Sequence, residues 1–171
     1  MLMTLSLRPA QPGDAPRVTA LLAQSYPVLL APDYAAQTLN AVLPAITRAR
    51  PSLLAGNTYF LLEERGALRA AGGWSDTDPW GGACAPETAH IRHVVTAPDH
   101  VRRGLGRRLM AGICADARAQ GITRFECYST LTARPFYASC GFEEVAAVVM
   151  TLARGVGFPA VHMRRICAPM T

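Results

Sequence analysis

The chain has 171 residues, half of them apolar, which suits one domain with a substantial core and excludes a disordered chain. Its net charge of +5 rests on arginine alone, because no lysine is present; the arginines are dispersed apart from Arg102-Arg103, Arg107-Arg108 and Arg164-Arg165. No apolar run is long enough to span a bilayer, and the five cysteines, Cys84, Cys114, Cys127, Cys140 and Cys167, form no C-x-x-C pair, which argues against a disulfide framework or a zinc site.

The N-terminal stretch Met1 to Arg8 lacks the basic start and small-residue cleavage site of a signal peptide, so the expectation is a cytoplasmic protein. Leu5 to Arg8 alternates as a short strand that Pro9 ends. Pro12-Gly13-Asp14 reads as a turn, with Asp14 placed to cap a helix bearing Val18, Leu21, Leu22 and Ser25. Pro27 and Pro32 interrupt that pattern. A second helix starts after Asp33 and runs past Tyr34, Thr38, Val42 and Ile46, with Pro44 straining its second half. Residues 51–57 read as a connection. Thr58 to Glu63 is a strand, Glu64-Arg65-Gly66 a turn, and Ala67 to Trp74 the hairpin partner. Residues 75–87 form a loop rich in Gly, Pro and Asp.

Ile91 to Thr96 is rich in β-branched residues, and the stretch from His90 to Thr96 reads as a central strand. Leu105, Leu109, Ile113 and Ala117 then recur every four residues, marking a helix that Gly121 stops. Ile122 to Tyr128 is a strand parallel to the one before the helix, given a right-handed crossover. Ala133 to Ser139 suits a short helix and Gly141 a turn. Phe142 to Leu152 is a strand with a break, residues 153–157 a hairpin turn, and Phe158 to Ile166 the last strand. The whole is a single α/β (α+β) domain over 1–171, with a mixed sheet and one parallel βαβ unit.

The junction at Gly104 and Gly106 has specific chemistry. The first turn of a helix has backbone N–H groups without intrahelical partners and carries the positive end of the helix dipole. Glycines let a phosphate approach that backbone, and Arg102, Arg103, Arg107 and Arg108 surround it. A phosphate or pyrophosphate site is therefore expected. A Walker loop is excluded by the missing lysine, and a dinucleotide fingerprint by Leu109 where a third glycine would stand.

The stretch Val101-Arg-Arg-Gly-Leu-Gly106 resembles the coenzyme A pyrophosphate loop, [Q/R]-x-x-G-x-[G/A], of the GNAT-type N-acetyltransferase superfamily, with Val101 departing from its first position. One helix and one strand later, Thr130 to Phe142 resembles that family's N-x-x-A-x-x-[FL]-Y-x-x-x-G-F signature. Ala133, Phe136, Tyr137, Gly141 and Phe142 match, and Thr130 replaces the usual Asn. The element order follows the same family over nearly the whole chain.

The resemblance implies acetyl-CoA as cofactor and transfer of its acetyl group to an amine of a small molecule or peptide by direct attack. It implies cofactor contacts from Val94, Val95 and Thr96 through a strand bulge, from Arg102, Arg103, Gly104, Leu105, Gly106 and Arg107, and from Thr130 and Ala133. Tyr137 would protonate the leaving thiolate. His90 stands at the offset where some relatives carry a catalytic Glu and is the candidate base. His93, its rival, points to the opposite face from His90 and Arg92 if the strand alternates. His162 has no evident partner. Tyr26, Tyr34 and Trp74 are candidate acceptor-pocket walls, no metal is expected, and a homodimer is admitted. Cys140 lies near Tyr137 in sequence, but helical spacing turns it about 60 degrees away, against an acyl-enzyme. Two rival readings stand: a regulatory acyl-CoA-binding module without turnover, and a basic nucleic-acid-associated protein.

Overall fold

The computed structural model describes residues 4–153 and 155–171. Met1 to Met3, and Arg154 in the turn expected at 153–157, lie outside them.

Seven strands form one sheet: β1 Leu5–Pro9, β2 Tyr59–Glu64, β3 Ala67–Ser75, β4 Thr88–Thr96, β5 Arg124–Thr130, β6 Glu143–Ala153 and β7 Val156–Ile166. Their order is β1-β2-β3-β4-β5-β7-β6. Only the β4–β5 pair is parallel, as the crossover through a helix requires. The helices are α1 Ala15–Leu29, α2 Ala36–Ile46, α3 Pro51–Ala55, α4 Leu105–Ala119 and α5 Arg134–Ser139. Arg65 at φ +52° and Gly66 at φ +79° supply the two left-handed positions of the tight β2–β3 hairpin.

The sheet is covered on both faces. On one, Leu105, Leu109, Met110, Ile113 and Ala117 of α4 pack on Phe60, Leu62, Ile91, Phe125 and Met163. On the other, Val18, Leu21 and Leu22 of α1 pack on Tyr59, Leu61, Ala71 and Val95. Leu39 and Val42 of α2 cluster there with Leu30, Tyr34 and Phe158.

Three local expectations need correction. α1 runs through Pro27 to Leu29. Proline removes one helical hydrogen bond there, and the burial of Leu22, Ser25 and Leu30 carries the helix past it. Asp14 does not cap α1 with its side chain. Its carboxylate accepts the Gln11 N–H at 2.8 Å and both Arg8 terminal nitrogens at 2.9 and 2.8 Å. The Arg8 guanidinium holds that carboxyl down at about 2. Finally, residues 51–57 are not a plain connection: Pro51 starts the one-turn α3.

Two irregularities shape the middle of the sheet. β4 and β5 pair over three rungs only, Thr88↔Arg124, Ala89↔Phe125 and His90↔Glu126, and then part. β4 also bulges against β3: Ala71 pairs with Val95 but Gly73 with Arg92, so three steps of β4 face two of β3. His93 takes the left-handed conformation there, at φ +48°. A Cβ on Gly72 would come within 2.8 Å of the Val94 Cγ2, so the facing strand needs glycine at that point. The bulge flips the strand's phase. Ile91 faces the α4 side, whereas Val95, four residues on, faces α1.

Candidate active site

The parting of β4 from β5 opens a cavity of about 890 Å³. It reaches from the Gly104–Gly106 junction, along β4 from His90 to Thr96 and β5 from Tyr128 to Thr130, to Tyr26, Ala45 and Arg50 on the α1–α2 side. From Ile91 onward β4 has no β5 partner, so the backbone groups on that edge are available to a ligand rather than to the sheet.

At one end, Gly104 sits in the left-handed region at φ +76° as the residue capping α4. The N–H groups of the first helical turn, from Leu105 on, are free of intrahelical partners. A Cβ on Gly106 would lie 3.0 Å from the Phe136 ring and 3.5 Å from the Thr96 hydroxyl, so glycine lets helix and strand close up at the cavity wall. Arg102 and Arg107 line this end. Leu105 also lines it, with its side chain buried in the core. Arg103 does not line the cavity; its guanidinium pairs with Glu64 at 3.1 Å, because the left-handed turn at Arg102 sends successive side chains apart.

In the middle lie Val94, Val95 and Thr96 of the bulged strand and Thr130, Ala133 and Tyr137 of the second motif. The Thr130 hydroxyl accepts the Ala133 N–H at 3.1 Å, which shapes the turn into α5. Tyr137 is 6% exposed, and its ring meets Phe136 and Phe142 edge-on, with centroids 5.4 and 5.3 Å away. Burial raises its phenol well above the usual range, so it holds its proton at neutral pH. No cysteine lines the cavity, and Cys140 caps the far end of α5.

Both candidate histidines border the same cavity. The bulge, absent from a strictly alternating strand, is why His93 is not turned away as expected. Burial pushes His90 down to about 4, and burial together with Arg92 and Arg50 does the same for His93. The His90 ring stacks on Tyr128 at 5.1 Å, and its Nδ1 is buried without a partner. Tyr128 in turn meets His162 at 5.2 Å. His162 has a partner after all: its Nε2 bonds the Glu126 carboxylate, which also accepts from Arg164 at 2.8 Å.

Tyr26 lines the cavity, but Tyr34 and Trp74 do not. Tyr34 stacks on Phe158 at 4.4 Å; its hydroxyl donates to the Pro159 carbonyl at 2.7 Å and accepts the Leu131 N–H at 2.8 Å. It is a bolt between the α1–α2 connection and the last strands. Trp74 faces α4, where its indole donates to Asp116 at 2.8 Å. Sequence reasoning missed Arg50, Arg92 and Tyr128 as lining residues. Arg92 carried a signal, being the one arginine inside the central strand β4. Among the described residues no cluster of three or more His, Cys, Asp or Glu could hold a metal ion. No helix among them is long and apolar enough to cross a membrane.

Residues 19–142 match the family described as Acetyltransferase (GNAT). No curated protein matches the chain. Among solved structures, a GCN5-related N-acetyltransferase from Rhodopseudomonas palustris is 20% identical with a TM-score of 0.78, over 97% of this chain and 98% of that one. The PaiA N-acetyltransferase of Thermoplasma acidophilum, solved with coenzyme A, is 12% identical with a TM-score of 0.72, over 96% and 99%. The protein YncA of Salmonella typhimurium, solved with acetyl-CoA, is 17% identical with a TM-score of 0.68, over 98% and 96%. At these identities the likeness is one of fold.

Proposed function

Because the chain belongs to the acetyltransferase (GNAT) family, we propose that its cavity binds acetyl-CoA and transfers the acetyl group to an amine of a small molecule or peptide. The observation that carries this is the single cavity joining the glycine junction to the unpaired β4 edge, Tyr137 and the two histidines. The cavity fits a pantetheine-linked nucleotide at its key points. It has a glycine turn at a helix start for the pyrophosphate, arginines beside it, and an unpaired strand edge for amide contacts. The bound thioester supplies an activated acetyl carbon.

The chain's own residues do the rest. Backbone N–H groups of Arg102 to Arg107 hold the phosphates, aided by the side chains of Arg102 and Arg107. The Val94–Thr96 edge orients the thioester and polarises its carbonyl through main-chain N–H groups. The acceptor nitrogen attacks that carbon, a C–N bond forms and the C–S bond breaks. The proton lost by nitrogen passes to neutral His90, directly or through water. The Tyr137 phenol protonates the departing sulfur. A protein thiol intermediate has no support, since no cysteine borders the cavity.

One observation favours a second reading, an acyl-CoA-binding module without turnover. Both histidines sit near a pKa of 4, which makes either a weak base for an ammonium-derived proton. Two measurements separate the readings: calorimetric titration with acetyl-CoA, and CoA-thiol release with a panel of amines. Transfer predicts both binding and release. A module predicts binding alone, and absence of acetyl-CoA binding removes both.

A further inference from the structure

Resting on the acetyl-CoA reading, we propose that the acceptor is an amino acid, whose carboxylate is held by Arg92 and Arg50 while its amine faces the thioester. The charged side chains lining the cavity are Arg50, Arg92, Arg102 and Arg107; no Asp or Glu lines it. Arg102 and Arg107 belong to the glycine junction. Arg92 stands four residues before Thr96, which is about 13 Å of strand at the usual rise. It is too far along β4 to share that phosphate, and Arg50, the residue before α3, lines the same cavity.

Arg92 is 8% exposed and fixed in place. Its Nη1 donates to the Ser75 hydroxyl at 3.1 Å and to the Asp78 carbonyl at 3.4 Å. Its Nε and Nη2 have no protein partner among the described residues, yet neither is sealed from solvent. Burial and, after it, the neighbouring Arg50 push the Arg92 guanidinium down. The Asp78 carboxylate pulls the other way, without a hydrogen bond to the guanidinium. It is occupied by the Trp80 and Gly82 N–H groups at 2.8 and 2.9 Å. Glu126, behind Tyr128, is engaged by His162 and Arg164.

The electrostatics discriminate between amines. A simple amine or polyamine would bring an ammonium into a space bounded by guanidinium groups with no carboxylate to receive it. Like charges there cost free energy that the partly dry wall amplifies. An amino acid brings its own negative charge. A carboxylate matches the two free donors of a guanidinium in a planar fork. Once the carboxylate is seated, the amine needs no acidic residue to neutralise it.

The test is CoA-thiol release with acetyl-CoA and each of the common L-amino acids, set against the matched amines and amides that lack the carboxylate. At least one amino acid should be acetylated, with kcat/KM well above its decarboxylated counterpart. Arg50→Ala should raise KM for that amino acid about 10- to 100-fold, the usual worth of a charge-assisted hydrogen bond, with kcat and the KM for acetyl-CoA within about twofold. Arg92 also ties the 76–82 loop to β4, so Arg92→Lys, checked by thermal melt, is the second variant; it keeps the charge, loses the fork, and should raise the same KM. Amines or amides that react as well as amino acids would overturn the proposal. So would acetyl-CoA binding with no amino acid acetylated, or an unchanged KM in a folded Arg50→Ala protein. Calorimetry with acetyl-CoA alone tells these results from failure of the cofactor reading, in which no heat of binding appears.

Discussion

The hydroxyl of Tyr137 takes no hydrogen bond from any described residue, while its ring is packed against Phe136 and Phe142. Tyr137→Phe therefore leaves no protein group unpaired and keeps the ring contacts. Its melting temperature should match wild type. If the phenol protonates the leaving thiolate, turnover should fall on the order of 10²–10⁴-fold with acetyl-CoA affinity little changed; wild-type turnover would remove the hydroxyl from the reaction. His90 makes a pH prediction of definite sign. Burial lowers it to about 4, whereas an unfolded histidine titrates near roughly 6.5. Between those values the unfolded chain takes up a proton that the folded chain refuses. Stability is thus full above the unfolded value and lost as pH falls toward the folded one, by on the order of 3 kcal/mol for this residue. Denaturant titrations at pH 7 and pH 4.5 should show a smaller gap in His90→Gln than in wild type. A histidine-dependent limb in kcat should likewise appear near pH 4 rather than 6.5. An unchanged gap in the variant would mean His90 is not held neutral.

At the scale of elements, the α4 start and the β4 bulge give separable predictions. Gly104 is left-handed and a Cβ there meets nothing within 4 Å. Asp tolerates that conformation better than most residues, so Gly104→Asp should fold. Its carboxylate would stand where a phosphate must, and acetyl-CoA binding by calorimetry should be lost. Retained affinity would exclude the junction as the phosphate site. Gly72 instead supports the bulge from across the ladder. Gly72→Ala would push a methyl into Val94 and should cost about 1–3 kcal/mol by overpacking. It should also lower turnover more than cofactor affinity if, as proposed, it moves the strand edge that orients the thioester. These elements differ in how well the sequence disclosed them. The β2–β3 hairpin and α4 were legible, since Arg65-Gly66 and the four-residue spacing from Leu105 act locally. The bulge was not. It exists only in the register between β3 and β4, and without it His93 is assigned to the wrong side. Tyr34 and Trp74 were mistaken for walls because an aromatic's face is set by its partners, Phe158 and Asp116, which are remote in sequence. His162 looked solitary because Glu126 reaches it only through β5–β7 pairing. Among the residues lining the cavity, Gly104, Gly106 and Tyr137 stand in motifs, whereas Arg92 and Arg50 gained meaning only from the shared cavity.

Across the whole molecule, α4 and its core join β1–β4 to β5–β7, for the strands themselves meet at three rungs. That short seam has a consequence for how the protein breathes. Where a sheet normally shields amides on both sides, the facing edges beyond His90 and Glu126 are protected by nothing but whatever occupies the space between them. Hydrogen–deuterium exchange of the free protein should therefore be faster at the seam-facing amides of residues 91–96 and 127–130 than at those of the paired rungs 88–90 and 124–126. A ligand lying in the seam takes the place of the missing ladder. With acetyl-CoA at saturation those two edges should slow selectively, and the melting temperature should climb with ligand concentration as mass action requires. In this light the sheet is one hydrogen-bonded layer left unstitched in its middle, and the ligand proposed for it is the thread.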